Sequence, residues 1–309
     1  MIRERLEVLN KLEKKIASIR ESKSLRKQER LMNLKTFKQD LLAECKELNP
    51  AEKVYLARHL DRPRTDDYVA ALFTDFFPQR GDHLYDNDKS ILGGIGRYHG
   101  QAVTIVGQRK GHTAKENVEF NFGMACPEGY RKAMRIMEQA EKFRRPIITF
   151  VDTPGAYPGK EAEEHGQGEA IARSMAFMSK LTVPVVTIVI GEGNSGGALA
   201  LSVANRIIML ENSVYSVLSP EGFASILWKD ASRHEEACEI MKLTAEDLKE
   251  AKVADAIVEE PLGGAQRNPK LQFEYLDKVL EKELESLKGL SPAALREDRF
   301  KKFRSIGRL

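Results

Sequence analysis

Glycine is absent before Gly81 in this 309-residue chain, and 18 of the 22 glycines lie between Gly81 and Gly222. Glycine admits backbone conformations and close approaches that a Cβ forbids. Tight turns are therefore concentrated in the middle of the chain, and the opening segment must be built without them. Residues 1–49 also lack proline. Within them Ile2, Leu6, Leu9, Leu12, Ile16 and Ile19 recur at steps of four and three, the spacing of one helical face. After an interruption at Ser22-Lys23-Ser24, a second run passes through Leu31, Leu34, Leu41, Leu42, Cys45 and Leu48. The pattern predicts a helical hairpin over residues 1–48. Two short stretches fall below the roughly three or four heptads that define a coiled coil. The hairpin is expected either to lie on its own domain or to serve assembly.

From Ala102 the texture changes to short β-branched runs that alternate with glycine turns and helical patterns. Residues 102–107, 146–152 and 184–191 read as strands. Between the last two, Ile171, Met175, Met178 and Leu181 mark a helix face, and Cys126-Pro127-Glu128 opens a helix with proline in its first turn. Strands spaced by helices of this length predict an α/β architecture with buried, largely parallel strands. A charged helix over about 265–288 turns Phe273, Leu276, Leu280, Leu284 and Leu287 inward. The segment from Arg296 to Arg308 holds six basic and two acidic residues and is expected to be a solvated helix end rather than a nucleic-acid arm.

With 49 basic and 46 acidic residues the net charge is +3, which gives little electrostatic footprint for nucleic acid. The N-terminus Met1 to Glu7 has no apolar signal-peptide core. The longest strongly apolar run, Val183 to Ile190, falls far short of the roughly 18 residues of a membrane span. Cys45, Cys126 and Cys238 are widely separated and include no C-x-x-C pair, so no zinc ribbon or disulfide framework is predicted. A reducing, cytoplasmic location is expected.

The most informative stretch is Gly191-Glu192-Gly193-Asn194-Ser195-Gly196-Gly197-Ala198-Leu199-Ala200, which leaves a buried strand and enters an alanine-rich helical pattern. A phosphate-binding P-loop needs Lys and Ser/Thr where Gly197 and Ala198 stand. Asp152-Thr153-Pro154-Gly155 looks like a GTPase magnesium motif, but no P-loop precedes it. Gly193-Asn194-Ser195-Gly196-Gly197 fits the G-x-S-x-G elbow of a serine hydrolase, with His234 as the one downstream histidine and Asp230 close beside it. A third reading uses the backbone itself: N–H groups around Gly196 and Gly197 form an oxyanion hole. A fourth is that the glycines only permit tight strand-to-helix packing. The second turn, Asp152 to Gly159, holds two prolines and two glycines at the end of another buried strand, where α/β folds commonly place a ligand crevice.

Several ordered motifs identify a family. They are Leu56-Ala57-Arg58-His59 with Asp61-Arg62-Pro63; Asn121-Phe122-Gly123-Met124; Pro127 to Ala133; Asp152 to Gly159; Gly166 to Ala172; Gly191 to Ala200; and Ser219-Pro220-Glu221-Gly222 with Leu227-Trp228-Lys229. Across residues 49–265 the chain closely resembles the alpha subunits of bacterial multi-subunit acetyl-CoA carboxylase carboxyltransferases. The segment from Leu295 to Gly307 fits as well, and the first 48 residues match mainly in helical character.

The resemblance implies a crotonase-like α/β fold of stacked ββα units behind the N-terminal hairpin. It divides the chain into an assembly hairpin (1–48), a catalytic domain of the CoA carboxyltransferase C-terminal type (49–290) and a basic tail (291–309). The implied reaction is carboxyl transfer from carboxybiotin, held on a biotin carboxyl carrier protein charged by biotin carboxylase, to acetyl-CoA. Its product is malonyl-CoA for fatty acid biosynthesis. The active site is implied to be shared with a beta subunit in an α2β2 assembly, with zinc on the beta partner alone. By the same resemblance the backbone of Gly196 and Gly197, with Ala198, binds the biotin ureido oxygen, and Gly193, Asn194 and Ser195 of the same turn are implied to bind substrate. Gly155 and Ala156 wall the pocket. Arg109 and Lys110 either attract a carboxylate or coenzyme phosphate or are solvent-facing charges beside a turn. Asn194 stands where the family has glycine, and asparagine's tolerance of left-handed backbone is expected to preserve the turn. Met134 is not followed by the lysine of a Met-Lys-Met carrier motif, so this chain is not expected to carry biotin itself.

Overall fold

The computed structural model describes residues 2–21 and 27–307; the Ser22-Lys23-Ser24 interruption lies outside the described residues. Helices α1 (Ile2–Glu21) and α2 (Lys27–Ala43) pack together as the hairpin predicted from the apolar spacing. Ile2, Leu6 and Leu9 are buried with Cys45 and with Leu56 of α3 (Pro50–Ala57), so the hairpin's base rests on its own chain. Helix α3 starts at a capping box in which the Asn49 side chain accepts from the Glu52 N–H at 2.8 Å. The same Glu52 carboxylate accepts the Ile2 N–H at 2.7 Å and so ties the hairpin to the cap. The outer part of α2 leaves Met32 and Phe37 exposed.

Helix α4 (Thr65–Leu72) leads into an antiparallel meander of β1 (Thr74–Pro78), β2 (Ile91–Tyr98) and β3 (Gln101–Gln108). Helices α5 (Ala114–Glu119) and α6 (Pro127–Lys142) precede β4 (Ile147–Thr153), and α7 (Lys160–Glu164) and α8 (Gln167–Lys180) precede β5 (Val185–Asn194). Then come α9 (Ser195–Leu199), β6 (Arg206–Leu210), β7 (Val214–Ser216), α10 (Pro220–Trp228), α11 (His234–Met241), α12 (Ala245–Glu250) and β8 (Ala256–Val258). Helices α13 (Pro269–Leu287) and α14 (Pro292–Ser305) close the described chain. Among the described residues the strands form one sheet in the order β1-β2-β3-β4-β5-β6-β8, parallel from β3 onward.

Strand β5 is buried at every position, which is why five of its first six residues are apolar, Thr187 being the exception. Its first half lies between β4 and β6, and its last three residues, Glu192, Gly193 and Asn194, pair instead with β7. The strand thus carries the chain from the central sheet directly into the glycine turn. One face of the sheet packs on α6 and α8 through Ile136, Met137, Ala170 and Met178. The other packs on α4 and α13 through Tyr68, Phe150, Leu276 and Leu280. The inward residues expected of the 265–288 helix are those of α13.

The basic C-terminal segment differs from expectation. Leu295 and Arg299 of α14 are buried, so this is not simply a solvated helix end. Arg299 donates to the carbonyls of Met178 at 3.0 Å, Leu181 at 2.8 Å and Val183 at 3.3 Å, and to Asn205 Oδ1 at 2.6 Å. It gathers the last carbonyls of α8 and the approach to β5 around one guanidinium, whose pKa burial pushes down to about 10. Arg299→Ala leaves those acceptors unmet and is expected to lower stability by about 2–4 kcal/mol in urea unfolding.

Candidate active site

Two carboxylates stand at the ends of fully buried strands: Asp152 near the end of β4 and Glu192 near the end of β5. A buried charge persists only when it is paired and hydrogen-bonded, and both are. Lys110 donates to Asp152 Oδ1 at 2.8 Å and to Glu192 Oε2 at 2.9 Å. Arg64 reaches Asp152 Oδ2 at 3.1 Å from the start of α4. Arg58, just after α3, donates to Glu192 Oε1 at 2.7 Å and holds Glu221 of α10 through two bonds at 2.6 and 3.2 Å. The result is a ladder of alternating sign, Arg64–Asp152–Lys110–Glu192–Arg58–Glu221. Burial alone would raise the Asp152 and Glu192 pKa values, but Lys110 with Arg64 or Arg58 outweighs it and both are held below the usual carboxylate range. Burial would lower Lys110, and the two carboxylates raise it instead.

The ladder fixes the two glycine turns. Asp152 Oδ1 accepts the Glu192 N–H at 3.1 Å, and a Cβ on Gly191 would lie 2.5 Å from that same oxygen. Gln108 joins the turns directly: its Nε2 donates to the Gly197 carbonyl at 2.7 Å and its Oε1 accepts the Asp152 N–H at 3.2 Å. The Thr153 hydroxyl closes the second turn, accepting the Gly155 N–H at 3.1 Å and donating to the Gly155 carbonyl at 2.6 Å. The turns then meet. A Cβ on Gly197 would sit 2.6 Å from both Gly155 C and Ala156 N, which only glycine avoids. Gly196 instead faces the Ile171 side chain of α8.

Helix α9 begins at Ser195 with no side chain capping it. Its first amides, those of Ser195, Gly196 and Gly197, precede the first intrahelical donor and have no partner within the helix. Ala198, expected to share the donor role, is the first residue whose amide the helix itself uses, and it is buried in the wall. Gly155 and Ala156 form the opposing wall, with the Gly155 amide occupied by Thr153. Gly193 packs under Tyr215 of β7.

Other expectations change. Asn194 has extended backbone (φ −108°), so no left-handed residue is needed there. The left-handed residue is Ser195 at φ 60°. The buried Asn194 side chain accepts from Ser216 Oγ at 2.8 Å and fastens β5 to the end of β7. Lys110 is neither solvent-facing nor open to an incoming anion, because its ammonium is shared between Asp152 and Glu192. Arg109 is bound bidentately to Asp66 at 2.9 and 2.8 Å and lies 4.0 Å over the Phe120 ring. Ser195 is exposed, but among the described residues no histidine is hydrogen-bonded to it. Asp230 is engaged with Ser232 instead of His234. The triad that an elbow serine requires is not assembled.

The ladder residues and Gln108 were not singled out from sequence as a group. Asp152 and Glu192 carried a signal: a charge at the end of an apolar strand run needs a buried partner. Gln108 and Arg58 carried none, because their partners are 89 and 134 residues away.

Comparison with known proteins places this geometry. A family profile described as acetyl co-enzyme A carboxylase carboxyltransferase-like matches residues 3–307. Acetyl-coenzyme A carboxylase carboxyl transferase subunit alpha of Halalkalibacterium halodurans is 56% identical over 260 residues, covering 84% of this chain and 80% of the relative. The same subunit of Anoxybacillus flavithermus is also 56% identical over 260 residues, with the same coverage. Among solved structures, the transcarboxylase 12S core with methylmalonyl-coenzyme A bound aligns with a TM-score of 0.56 at 18% identity, covering 74% of this chain and 45% of that one. A Pseudomonas malonate decarboxylase heterodimer aligns with a TM-score of 0.56 at 14% identity, covering 70% of this chain and 88% of that one. At these identities the structural likenesses speak to the fold, and they bear out the crotonase-like architecture.

The outer end of the ladder gives a pH prediction. Burial raises Glu221, but its bonds to Arg58 dominate and hold its pKa near about 2, below the ordinary 4.5. A depressed carboxyl contributes stability that is complete above the ordinary value and lost as pH falls through the folded one. In thermal unfolding the wild-type midpoint is expected to fall more steeply between pH 4.5 and 2 than that of Glu221→Gln. Equal slopes would take Glu221 out of the acid response.

Proposed function

The chain belongs to the acetyl-CoA carboxylase carboxyltransferase family, as an alpha subunit, and from that membership we propose that its share of the reaction is carried by the seam where the two glycine turns meet. The reaction of the family is carboxyl transfer from carboxybiotin to acetyl-CoA, giving malonyl-CoA. The observation that supports the placement is the pair of amides at Gly196 and Gly197, which have no partner within the helix and are held within contact of Gly155 and Ala156 by Gly197. When bound, biotin supplies a ring nitrogen that releases the carboxyl group and a ureido oxygen that takes up negative charge.

The chain's own part is to meet that charge. The Gly196 and Gly197 amides donate to the oxygen, and their positions are set before binding because Gly197 is wedged against backbone. Fixed donors aimed at charge that develops only during reaction lower the barrier selectively, and one such donor is worth about 10²–10³ in rate. Glycine suits the task because a Cβ at 197 would displace the opposing turn. Ile171 gives the pocket an apolar side that limits water.

Neither turn offers a free carboxylate or cation, since Lys110, Asp152 and Glu192 are consumed by the ladder. The acyl-CoA must then be held mainly by a second surface, in agreement with a beta subunit that carries the zinc and completes an α2β2 enzyme. Exposed Val217, just after β7, and Ile226 and Leu227 on α10 are suited to such a partner. Met32 and Phe37 on α2 support an assembly role for the hairpin over residues 1–48, next to the catalytic domain at 49–290 and the α14 segment at 291–309. A carrier protein and biotin carboxylase belong to the same reading. No helix among the described residues is long and apolar enough to cross a membrane. The three thiols are free cysteines, which fits a cytoplasmic enzyme.

Purified chain mixed with a beta subunit is expected to transfer carboxyl from malonyl-CoA to biotin, and neither chain alone to do so. Gly197→Val should abolish transfer in an assembled complex, whereas Ser195→Ala should keep turnover within about threefold. Unchanged turnover in Gly197→Val would make this an assembly subunit rather than a catalytic one. Labelling of Ser195 by a fluorophosphonate probe would revive hydrolase chemistry.

A further inference from the structure

Helix α9 leaves one of its carbonyls unused. The Ala200 N–H bonds to the Gly196 carbonyl at 2.9 Å, but the next amide, Leu201, shortens its reach and bonds to Ala198 at 3.1 Å. Gly197 is skipped, and it is buried, so its carbonyl would be an orphan. The Gln108 side chain takes it at 2.7 Å. Gln108 is itself fully buried, and its other polar atom accepts the Asp152 N–H. Only one orientation of the amide satisfies both neighbours, with the NH2 towards the carbonyl and the oxygen towards the N–H. Its base is also held. Gln108 ends β3 opposite Ile91 of β2, and the Thr65 hydroxyl donates to its carbonyl.

We propose that Gln108 is the positioning residue of the transfer reaction: it fixes the spacing between the two glycine turns and so aims the Gly196 and Gly197 amides. This rests on the reading of those amides as the oxyanion donors. The helix has few other restraints at its start, being five residues long, rich in glycine and without a side-chain cap. On the opposite side, Gly197 already stands in contact with Gly155 and Ala156, so the turn has no slack in that direction. Gln108 removes the slack in the other. A donor misplaced by about 1 Å is enough to cost about 10²-fold in rate.

A purely structural hydrogen bond to the same segment provides the control. Ser174 Oγ donates to the Ala200 carbonyl at 2.6 Å, is equally buried, and touches neither turn. In the reconstituted alpha–beta complex, Gln108→Met is expected to lower kcat for transfer from malonyl-CoA to biotin by about 100-fold. KM for malonyl-CoA should stay within about twofold and the complex should still form. Ser174→Ala is expected to lower the unfolding temperature by a similar amount with kcat within about twofold of wild type. If kcat falls in both variants in proportion to lost thermal stability, Gln108 is structural and the proposal fails. If Gln108→Met keeps wild-type kcat while Gly197→Val abolishes transfer, the proposal fails and the amide reading stands. If Gly197→Val is also fully active, the amide reading itself is what fails.

Discussion

Lys110 sits between two buried carboxylates, and the shape of the site follows from that arrangement. Asp152 and Glu192 end neighbouring parallel strands, where two negative charges would repel and drive the strand ends apart. One ammonium bonded to both draws them together instead. Arg64 and Arg58 satisfy the remaining oxygens from α4 and α3, so elements far apart in the chain are stitched to the point where β4 and β5 finish. Removing a single member of such a buried set leaves an uncompensated charge, typically a cost of about 3–5 kcal/mol. Much of the molecule's polar interior is therefore committed to holding two turns in register, and little of it is left to act on a substrate.

That commitment is the physical ground for proposing that the chemistry falls to the backbone. A site that needs a donor fixed within a fraction of an ångström can use a side chain locked by its neighbours or a main-chain amide locked by the fold. Here the charged side chains already serve as struts. The glycines are spaced to serve the struts as much as the ligand: at 191 a side chain would strike the Asp152 carboxylate, at 193 the Tyr215 ring, and at 197 the opposing turn. Asn194 fits this sequence of contacts because its side chain is pulled away from the turn by Ser216 while its backbone stays extended. The strained position is one residue later, at Ser195, whose left-handed φ redirects the chain from strand to helix. A serine there resembles a nucleophile in sequence, yet the geometry serves to bend the chain.

What was legible in the sequence follows the same physics. Strands β4 and β5 were legible because burial on both faces makes them continuous apolar runs, and α1 was legible because its buried face repeats at helical spacing. The meander was less so. Strand β2 carries Gly93, Gly94 and Gly96, which depress any strand signal. Those glycines are required by contacts elsewhere in the chain: a Cβ on Gly94 would lie 2.3 Å from the Phe77 carbonyl of β1, and one on Gly93 would meet Ile136 of α6. Strands β6, β7 and β8 are short pieces placed by the strands they pair with, β6 and β7 by β5 and β8 by β6. The position of the site was visible as a pair of glycine turns. Its wiring was not, since the role of Lys110 depends on two strand ends that only the folded sheet brings together.

A site built in this way is one-sided. Open amides can stabilise an anion, but they cannot take a proton or grip a long acyl carrier, and the charges that would do so are buried in the ladder. Helix α10, whose Glu221 ends the ladder, also leaves Ile226 and Leu227 exposed. If the proposed half-site gains its second wall by association, the ladder makes that inexpensive: the turns are already tied together, so docking need not order them and forgoes the entropic cost of folding a loop on binding. On the reading proposed above, the glycine-poor arm and the glycine-rich centre divide the work, one offering a helical surface and the other a preset anion pocket.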